Sequence, residues 1–330
     1  MRDAVALPFV IGVPSKGRLQ ENANDFFARA GLELQQGRGA RDYRGAVSGL
    51  PGVEIAFLPS AEIVASLADG TIHFGVAGED LIREQMPDAD GRVTLLAPLG
   101  FGHANVVVAV PQAWIDVRTM ADLEDVAALH HARRGKRMRV ATKYVRLTRA
   151  AFASHGVADY RIVESLGATE GAPAAGTAEL IVDITTTGAT LRANGLKVLD
   201  DGVLLRSEAN LVASHAAPWT SRHIATARAL LSRIAAEERA RLTRDITALL
   251  PTASAALRTA LWDTFAAEPL PEDGTGTLGL RCPAAAACEV AEWLLDQGAT
   301  GVRVSRHDYL YEAGNPLMDL LLQRVAVRAA

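Results

Sequence analysis

The sequence predicts an α/β fold, and three observations lead to that class. Through roughly the first two hundred residues, short apolar runs typical of buried strands alternate with longer segments of helical periodicity. The chain has 330 residues and is 49% hydrophobic, which is enough for two or three domains with cores of their own. From about residue 222 the pattern changes to a long Ala/Arg/Glu-rich helix, which indicates a further domain.

The individual elements follow from the spacing of apolar residues. Six apolar runs predict strands at residues 9–13, 53–58, 73–77, 104–110, 139–142 and 180–184. Apolar residues three and four apart predict amphipathic helices at 19–30, 61–68, 119–129 and 148–154. Because strands and helices alternate, we expect largely parallel sheets. After a helix at 224–242, the C-terminal part shows strand, helix and strand at 277–280, 283–297 and 301–305.

Charge and composition restrict the classes of partner. The formal net charge of −4 gives no general attraction to nucleic acid or acidic lipid, so an anionic ligand needs a local cluster of donors. Residues 133–139 contain five basic residues in seven, but without interleaved aromatic residues they favour a solvated loop. The N-terminal residues lack secretory-signal features, and no apolar stretch approaches the ~20 residues that cross a bilayer. Cys282 and Cys288 lack zinc-site spacing, which favours structural thiols in a reduced, cytoplasmic protein.

The most informative segment is residues 179–191, in which an apolar run leads into Asp183 and then into Ile-Thr-Thr-Thr-Gly-Ala-Thr-Leu. Such a turn can direct successive backbone N–H groups at one anion, and the threonine hydroxyls can add donors. Gly188 lets the backbone approach the anion without a Cβ atom. Asp183 can accept hydrogen bonds from two ribose hydroxyls, so the segment would hold a 5-phosphoribosyl group at both ends. A polar strand-to-helix turn with an Asp/Thr cap is the alternative.

Six motifs occur in the order found in one enzyme family, over roughly residues 9–215. They are Val13-Pro-Ser-Lys-Gly-Arg-Leu19, Gly75-Val-Ala-Gly-Glu-Asp80, Leu99-Gly-Phe-Gly102, Arg139-Val-Ala-Thr-Lys-Tyr144 with Leu147-Thr148, Gly167-Ala-Thr-Glu170, and the segment 181–196. The sequence therefore resembles the ATP phosphoribosyltransferases, which open histidine biosynthesis by joining N1 of the adenine of ATP to the ribose of phosphoribosyl pyrophosphate.

The resemblance implies a fold and a domain organisation. The fold is a two-domain, periplasmic-binding-protein-like catalytic core with a third, smaller α+β domain at the C-terminus. Catalytic domain I would comprise residues 1–103 and 207–222, catalytic domain II residues 104–206, and a regulatory or oligomerisation domain residues 223–330. Only the strand-helix-strand ending at Ser305 is similar to the family's usual ferredoxin-like domain, which binds histidine as a feedback inhibitor.

The resemblance also implies site residues. Phosphoribosyl pyrophosphate would bind at Asp183, Thr185, Thr186, Thr187, Gly188, Ala189 and Thr190. ATP would contact Lys16, Gly17, Arg18, Arg41, Gly78, Glu79 and Asp80. The implied catalytic residues are Asp183 and Glu170, which orient the ribose, and Lys16 and Arg18, which stabilise the leaving pyrophosphate. Mg²⁺ is the expected cofactor, histidine the expected inhibitor, and a homo-oligomer the expected assembly, without nucleic acid or membrane as a partner.

Two other functions stay open at this point. A nucleotide-salvage phosphoribosyltransferase shares an acid followed by Thr-Thr-Gly-x-Thr, but such enzymes usually have two adjacent acids, and here Ile184 follows Asp183. A non-catalytic binding or regulatory protein could use the same two-domain cleft. The intact phosphate-binding segment disfavours a degenerate regulatory subunit.

Overall fold

The computed structural model describes residues 7–36, 43–165, 167–250, 254–271 and 277–325. The described residues form two compact units. The first contains those in 7–26, in 34–221 and from 320 onward, and the second contains Phe27–Glu33 and those in 222–319. No helix in these ranges is long and apolar enough to span a membrane.

The elements alternate along the chain, as an α/β protein requires. In the first 220 residues they are β1 (Phe9–Pro14), α1 (Gly17–Arg29), β2 (Leu34–Gln36), β3 (Arg44–Val47), β4 (Val53–Leu58), α2 (Ser60–Asp69), β5 (Phe74–Gly78), α3 (Glu79–Gln85), α4 (Ala89–Arg92), β6 (Val93–Pro98), β7 (Asn105–Pro111), α5 (Met120–Arg134), β8 (Met138–Thr142), α6 (Val145–Ser154), β9 (Tyr160–Glu164), β10 (Leu180–Thr185), α7 (Ala189–Ala193), β11 (Leu196–Leu205) and β12 (Ala209–Ser214). They are followed by α8 (Ser221–Leu242), β13 (Thr243–Leu249), α9 (Ala255–Phe265), β14 (Glu268–Pro269), β15 (Leu278–Pro283), α10 (Ala287–Asp296), β16 (Gly301–Ser305) and α11 (Pro316–Leu322).

A seven-stranded sheet in the order β2-β3-β4-β1-β5-β12-β6 defines what we call the first lobe. Its central strands β4, β1 and β5 are parallel, so the turns that follow β1 and β5 lie at the same edge of the sheet. Strand β12 lies antiparallel between β5 and β6. The expectation of largely parallel sheets is therefore wrong at both flanks of this sheet. On one side β2, β3 and β4 pair antiparallel, and on the other β12, which follows the second lobe in the chain, inserts antiparallel.

A five-stranded sheet in the order β11-β7-β10-β8-β9 defines the second lobe. Strands β10, β8 and β9 are parallel, and β7 and β11 run antiparallel to β10 and to β7 respectively. Residues 106–110 of β7 are all apolar and buried because both faces of the sheet are covered. Val106 and Val108 contribute to one core cluster, and Val107 and Ala109 to another. The predicted α/β class is confirmed.

The second unit contains the four-stranded antiparallel sheet β14-β15-β13-β16. Its chain order is strand, helix, strand, strand, helix, strand, the ferredoxin-like arrangement. Residues Ile246 and Ala248 of β13 point into a core shared with Leu261 of α9 and Val290 of α10. The smaller α+β domain is confirmed. The prediction that only its last part is ferredoxin-like was wrong. The first half is difficult to recognise in the sequence because β13 follows α8 without a loop and β14 has only two residues.

An ion pair on the sheet of the second unit makes its stability pH-dependent. Arg281 donates to both carboxylate oxygens of Asp245, at 2.8 and 3.0 Å, and His307 Nε2 lies 3.0 Å from Oδ2. Burial alone would raise the pKa of Asp245, but these hydrogen bonds and charges hold that pKa below its usual value. The stabilisation is therefore complete above the unfolded pKa of about 3.9 and is lost as the pH falls through the folded pKa.

We expect Asp245→Asn to lower the free energy of unfolding by about 1–3 kcal/mol at neutral pH, and by less in acid as the pH approaches the folded pKa. Urea titrations at both pH values measure this difference. Asp263→Asn is the matched control, because Asp263 is exposed on α9. Equal destabilisation by Asp245→Asn at neutral and acid pH would contradict the prediction.

Candidate active site

A cavity of about 340 Å³ lies at the C-terminal end of β10. This is the edge of a parallel sheet at which ligands of α/β proteins bind. The predicted phosphoribosyl-binding residues that line it are Asp183, Thr185, Thr186, Thr187, Ala189 and Thr190. Glu170, His103, Ala104, Ile184 and Leu191 complete the lining. The structure thus brings both carboxylates predicted to orient the ribose to one space.

The turn after β10 is held by its own hydrogen bonds. Gly188 has a left-handed backbone with φ of 71°. Its N–H donates to Thr185 Oγ1 at 2.8 Å, and Ala189 N–H donates to Thr187 Oγ1 at 3.4 Å. The backbone N–H groups of Thr186 and Thr187 have no acceptor among the described residues. They are the backbone donors left for a bound anion.

The threonine hydroxyls of this turn are not equivalent. Thr186 Oγ1 donates to the carbonyl oxygen of His103 at 2.9 Å, which joins the turn to the segment where the chain first crosses between the lobes. That hydroxyl hydrogen is therefore engaged. The hydroxyls of Thr185 and Thr187 accept hydrogen bonds, and Thr190 has an exposed side chain. Their hydrogens have no acceptor within the described ranges and can be donated to a ligand.

Asp183 is half-buried, and its charge is affected by several neighbours. Burial raises the pKa of Asp183, whereas the Ile184 N–H, which donates at 2.8 Å, and the charge of Lys143 lower it. The charge of Glu170 raises it again. The pKa of Asp183 therefore lies above its usual value. The sequence places Lys143 in a motif but does not indicate its role. Because β8 and β10 are parallel neighbours, the residue after β8 lies beside the end of β10, and this pairing was the signal that could have found it.

The predicted ATP contacts belong to the first lobe. Lys16, Gly17 and Arg18 are exposed at the start of α1, directly after β1. Gly78 ends β5, and Glu79 begins α3 and forms an ion pair with Arg83 at 3.2 Å. These residues are not among those that line the cavity after β10. Arg41 lies outside the described residues, so the ATP contacts stay predictions.

The carboxylate of Asp80 is buried in a network that joins the two lobes. Tyr144, the residue before α6, donates its hydroxyl hydrogen to Asp80 Oδ2 at 2.8 Å. Ser207, in the second crossing, donates to Oδ1 at 3.0 Å and accepts from the N–H of Asp80 at 2.9 Å. Burial, and then the charge of Asp80, raise the pKa of Tyr144, so its hydroxyl stays protonated and keeps donating. The sequence places Tyr144 in a motif without indicating its role and does not single out Ser207, because Asp80 is distant from both in the chain.

The comparison with known proteins identifies the family. A family model described as ATP phosphoribosyltransferase matches residues 59–236. An ATP phosphoribosyltransferase of Afipia carboxidovorans is 58% identical over 318 residues, which cover 95% of this chain and 97% of that protein. One of Rhodopseudomonas palustris is 58% identical over 313 residues, covering 94% and 96%. The chain belongs to the ATP phosphoribosyltransferase family. The resemblance inferred from the six motifs and the enzyme class it implied are confirmed.

A solved structure supports the same fold for this ATP phosphoribosyltransferase-family chain. The ATP phosphoribosyl transferase (HisG:HisZ) complex from Thermotoga maritima contains a chain with a TM-score of 0.51 and 22% identity, covering 69% of this chain and 98% of that one. At this identity the similarity concerns the fold alone. It agrees with the two-lobed α/β core described above.

Removal of the Tyr144 hydroxyl tests the network between the lobes. We expect Tyr144→Phe to lower the free energy of unfolding by about 1–3 kcal/mol, because one oxygen of a buried carboxylate loses its donor. Urea denaturation measures the change. Tyr160→Phe is the matched control: its ring packs on Phe152, and its hydroxyl has no hydrogen bond to the described residues. An equal change in the two variants would argue against a structural role for the hydroxyl of Tyr144.

Proposed function

We propose that this chain transfers the 5-phosphoribosyl group of phosphoribosyl pyrophosphate to N1 of the adenine of ATP, the first step of histidine biosynthesis. The products are phosphoribosyl-ATP and pyrophosphate. The observation that supports the proposal most directly is the cavity after β10. It is bordered by two carboxylates and by a threonine-rich turn that contains a left-handed glycine. Its volume of about 340 Å³ lies within the range of small-molecule sites, roughly 300–1,000 Å³.

The two ends of the sugar phosphate have matching partners in this cavity. The N–H groups of Thr186 and Thr187, which have no acceptor in the described part of the chain, would hold the 5-phosphate together with the hydroxyls of Thr187 and Thr190. Asp183 would accept the hydrogen bonds of the ribose hydroxyls, with Glu170 as the second acid. The sugar would then be held by its 5-phosphate and by its diol, which leaves C1, the neighbour of C2, available for attack.

The reaction needs alignment rather than a protein nucleophile. The lone pair of adenine N1 forms a bond to C1, while the bond from C1 to the pyrophosphate oxygen breaks and pyrophosphate leaves with that electron pair. Holding both substrates in line can contribute about 7–11 kcal/mol to lowering the barrier. We assign Lys16 and Arg18 to the negative charge that develops on the leaving group, since both are exposed at the sheet edge that follows β1.

The residues of the cavity fit magnesium that is delivered with its substrate. The described residues contain no group of three or more His, Cys, Asp or Glu side chains that could hold a metal ion. Two carboxylates line the cavity, and Mg²⁺ commonly binds through one or two carboxylates together with phosphate oxygens and water. Asp183 and Glu170 would hold the ion, which supplies charge neutralisation for pyrophosphate.

Regulation and assembly are further parts of the proposal. We assign histidine binding to the ferredoxin-like second unit, on the support of its strand order β14-β15-β13-β16. We also expect a cytoplasmic location, because the proposed substrates are intracellular nucleotides and sugar phosphates. The homo-oligomer is expected from the family to which the chain belongs.

The direct test is to incubate the purified chain with ATP, phosphoribosyl pyrophosphate and Mg²⁺ and to follow the ultraviolet absorbance of phosphoribosyl-ATP. We expect product only when all three are present. Replacing ATP by free purine and pyrimidine bases tests the salvage reaction with the same preparation. Consumption of a free base, with none of ATP, would refute the proposal. Binding of both substrates without product would favour the non-catalytic alternative.

A further inference from the structure

A second cavity, of about 1200 Å³, lies in the second lobe and is lined largely by cationic side chains. Arg134 comes from the end of α5, Lys136 from the turn that follows, Arg149 from α6 and Arg161 from β9. All four side chains are exposed, and none has an ion-pair partner among the residues that the structure describes. Four separate elements thus bring uncompensated positive charge to one concave surface. We call it the basic cavity.

The acids beside the basic cavity already have basic partners. Glu179 lines it, but Arg139 donates to both of its carboxylate oxygens, at 2.7 and 3.2 Å. Asp159 lies 2.7 Å from His131 Nδ1 and 3.9 Å from Arg137 Nε. The local field is therefore positive although the whole chain has a formal net charge of −4.

The basic cavity is separate from the proposed catalytic cavity. Arg161 lies near the N-terminal end of β9, and Glu179 directly precedes β10. Asp183 lies towards the other end of the same strand β10, about 13 Å further along if each residue of a strand extends about 3.3 Å. Because β8, β9 and β10 are parallel, the two cavities occupy opposite edges of one sheet.

We propose that the basic cavity binds a small polyphosphate anion. Three of the four uncompensated cations are arginines, whose planar guanidinium groups donate paired hydrogen bonds to phosphate oxygens. The volume leaves room for several phosphate groups. An adjoining cavity of about 260 Å³ shares Arg134 and adds the apolar side chains of Trp114 and Leu129. The anion is therefore either inorganic or part of a nucleotide whose base contacts this apolar wall.

Calorimetric titration with inorganic tripolyphosphate at low salt tests the site. We expect Arg149→Gln/Arg161→Gln to weaken binding about tenfold or more, because two of the four cations are removed. The matched control is Arg222→Gln/Arg228→Gln, which removes two exposed arginines of α8 that have no ion-pair partner in the described part of the chain. It should bind as tightly as the wild type. Gly188→Val, in the turn after β10, should also leave this binding intact.

Three outcomes would overturn the proposal. One is unchanged affinity in Arg149→Gln/Arg161→Gln. The second is a loss of binding in Gly188→Val alone, which would assign the anion to the catalytic cavity. The third is tighter binding of a single-stranded oligonucleotide than of tripolyphosphate or GTP. Titration with GTP identifies the source of the phosphate. If GTP binds more tightly than tripolyphosphate, and Trp114→Ala abolishes the difference, the ligand is a nucleotide. If the two bind equally, the ligand is an inorganic anion.

Discussion

Replacement of Asp183 with alanine is expected to lower kcat by a factor of about a hundred to a thousand, equivalent to about 3–4 kcal/mol of transition-state stabilisation. Asp183 lines the cavity after β10 and is the acid assigned to the ribose hydroxyls. Without it the sugar is held mainly by its phosphate, and C1 is no longer aligned with adenine N1. Steady-state rates of phosphoribosyl-ATP formation measure the loss.

The pH profile gives the same prediction a second readout. The carboxylate form of Asp183 is the acceptor, and burial raises its pKa. The wild-type kcat/KM, which reports the free enzyme, should therefore decline in acid at a higher pH than an ordinary Asp, with a pKa of about 3.9, would produce. Asp200→Ala is the control, because Asp200 is exposed in the same lobe and its pair with Arg118 lies at the surface. Rates of Asp183→Ala close to those of the control would remove Asp183 from the mechanism.

Valine at position 188 is expected to raise the KM for phosphoribosyl pyrophosphate and to lower kcat/KM by a factor of about a hundred. The φ of Gly188 is 71°, a backbone conformation that a β-branched residue adopts only with strain of about 1–3 kcal/mol. An added Cβ atom would approach only the mobile end of Arg192, so the backbone of the turn relaxes instead of the surrounding core. The N–H groups assigned to the 5-phosphate would then point elsewhere.

Gly156→Val is the matched control for this strain. Gly156 follows α6 with φ of 75°, and an added Cβ atom would meet nothing within 4 Å. Both variants should lose a similar free energy of unfolding, but only Gly188→Val should lose affinity for the substrate. Equal kinetic losses in the two variants would mean that general destabilisation, rather than the phosphate turn, explains the result.

Most of the strands and helices predicted for the first and second lobes are present in the structure. The run at 53–58 forms β4 with the predicted ends, and the helix predicted at 61–68 forms α2, which ends at the left-handed Gly70. The strands of the first unit that were not predicted are β2, β3, β6, β9, β11 and β12. In β12 all six residues are buried, so they show no alternation, and in β9 no residue is fully buried.

Part of the candidate site could be predicted from the sequence and part could not. The residues after β10 are consecutive in the chain, so one segment was enough to predict their chemistry. The structure places most of them around one cavity. Lys143 reaches Asp183 only because β8 pairs with β10, and Tyr144 reaches Asp80 only because the two lobes meet there. The basic run at 133–139 favours a solvated loop when the sequence is considered alone, whereas Arg149 and Arg161 join part of it around one cavity in the folded chain.

The sequence by itself determined most of the local elements, the threonine-rich turn after β10 and the family, because each depends on residues close together in the chain and on backbone preferences that act over a few residues. The tertiary structure decided the insertion of β12, the complete ferredoxin-like sheet, the Tyr144–Asp80–Ser207 network and the basic cavity. These features join residues far apart in the chain, whose contacts and net charge depend on how sheets and helices pack.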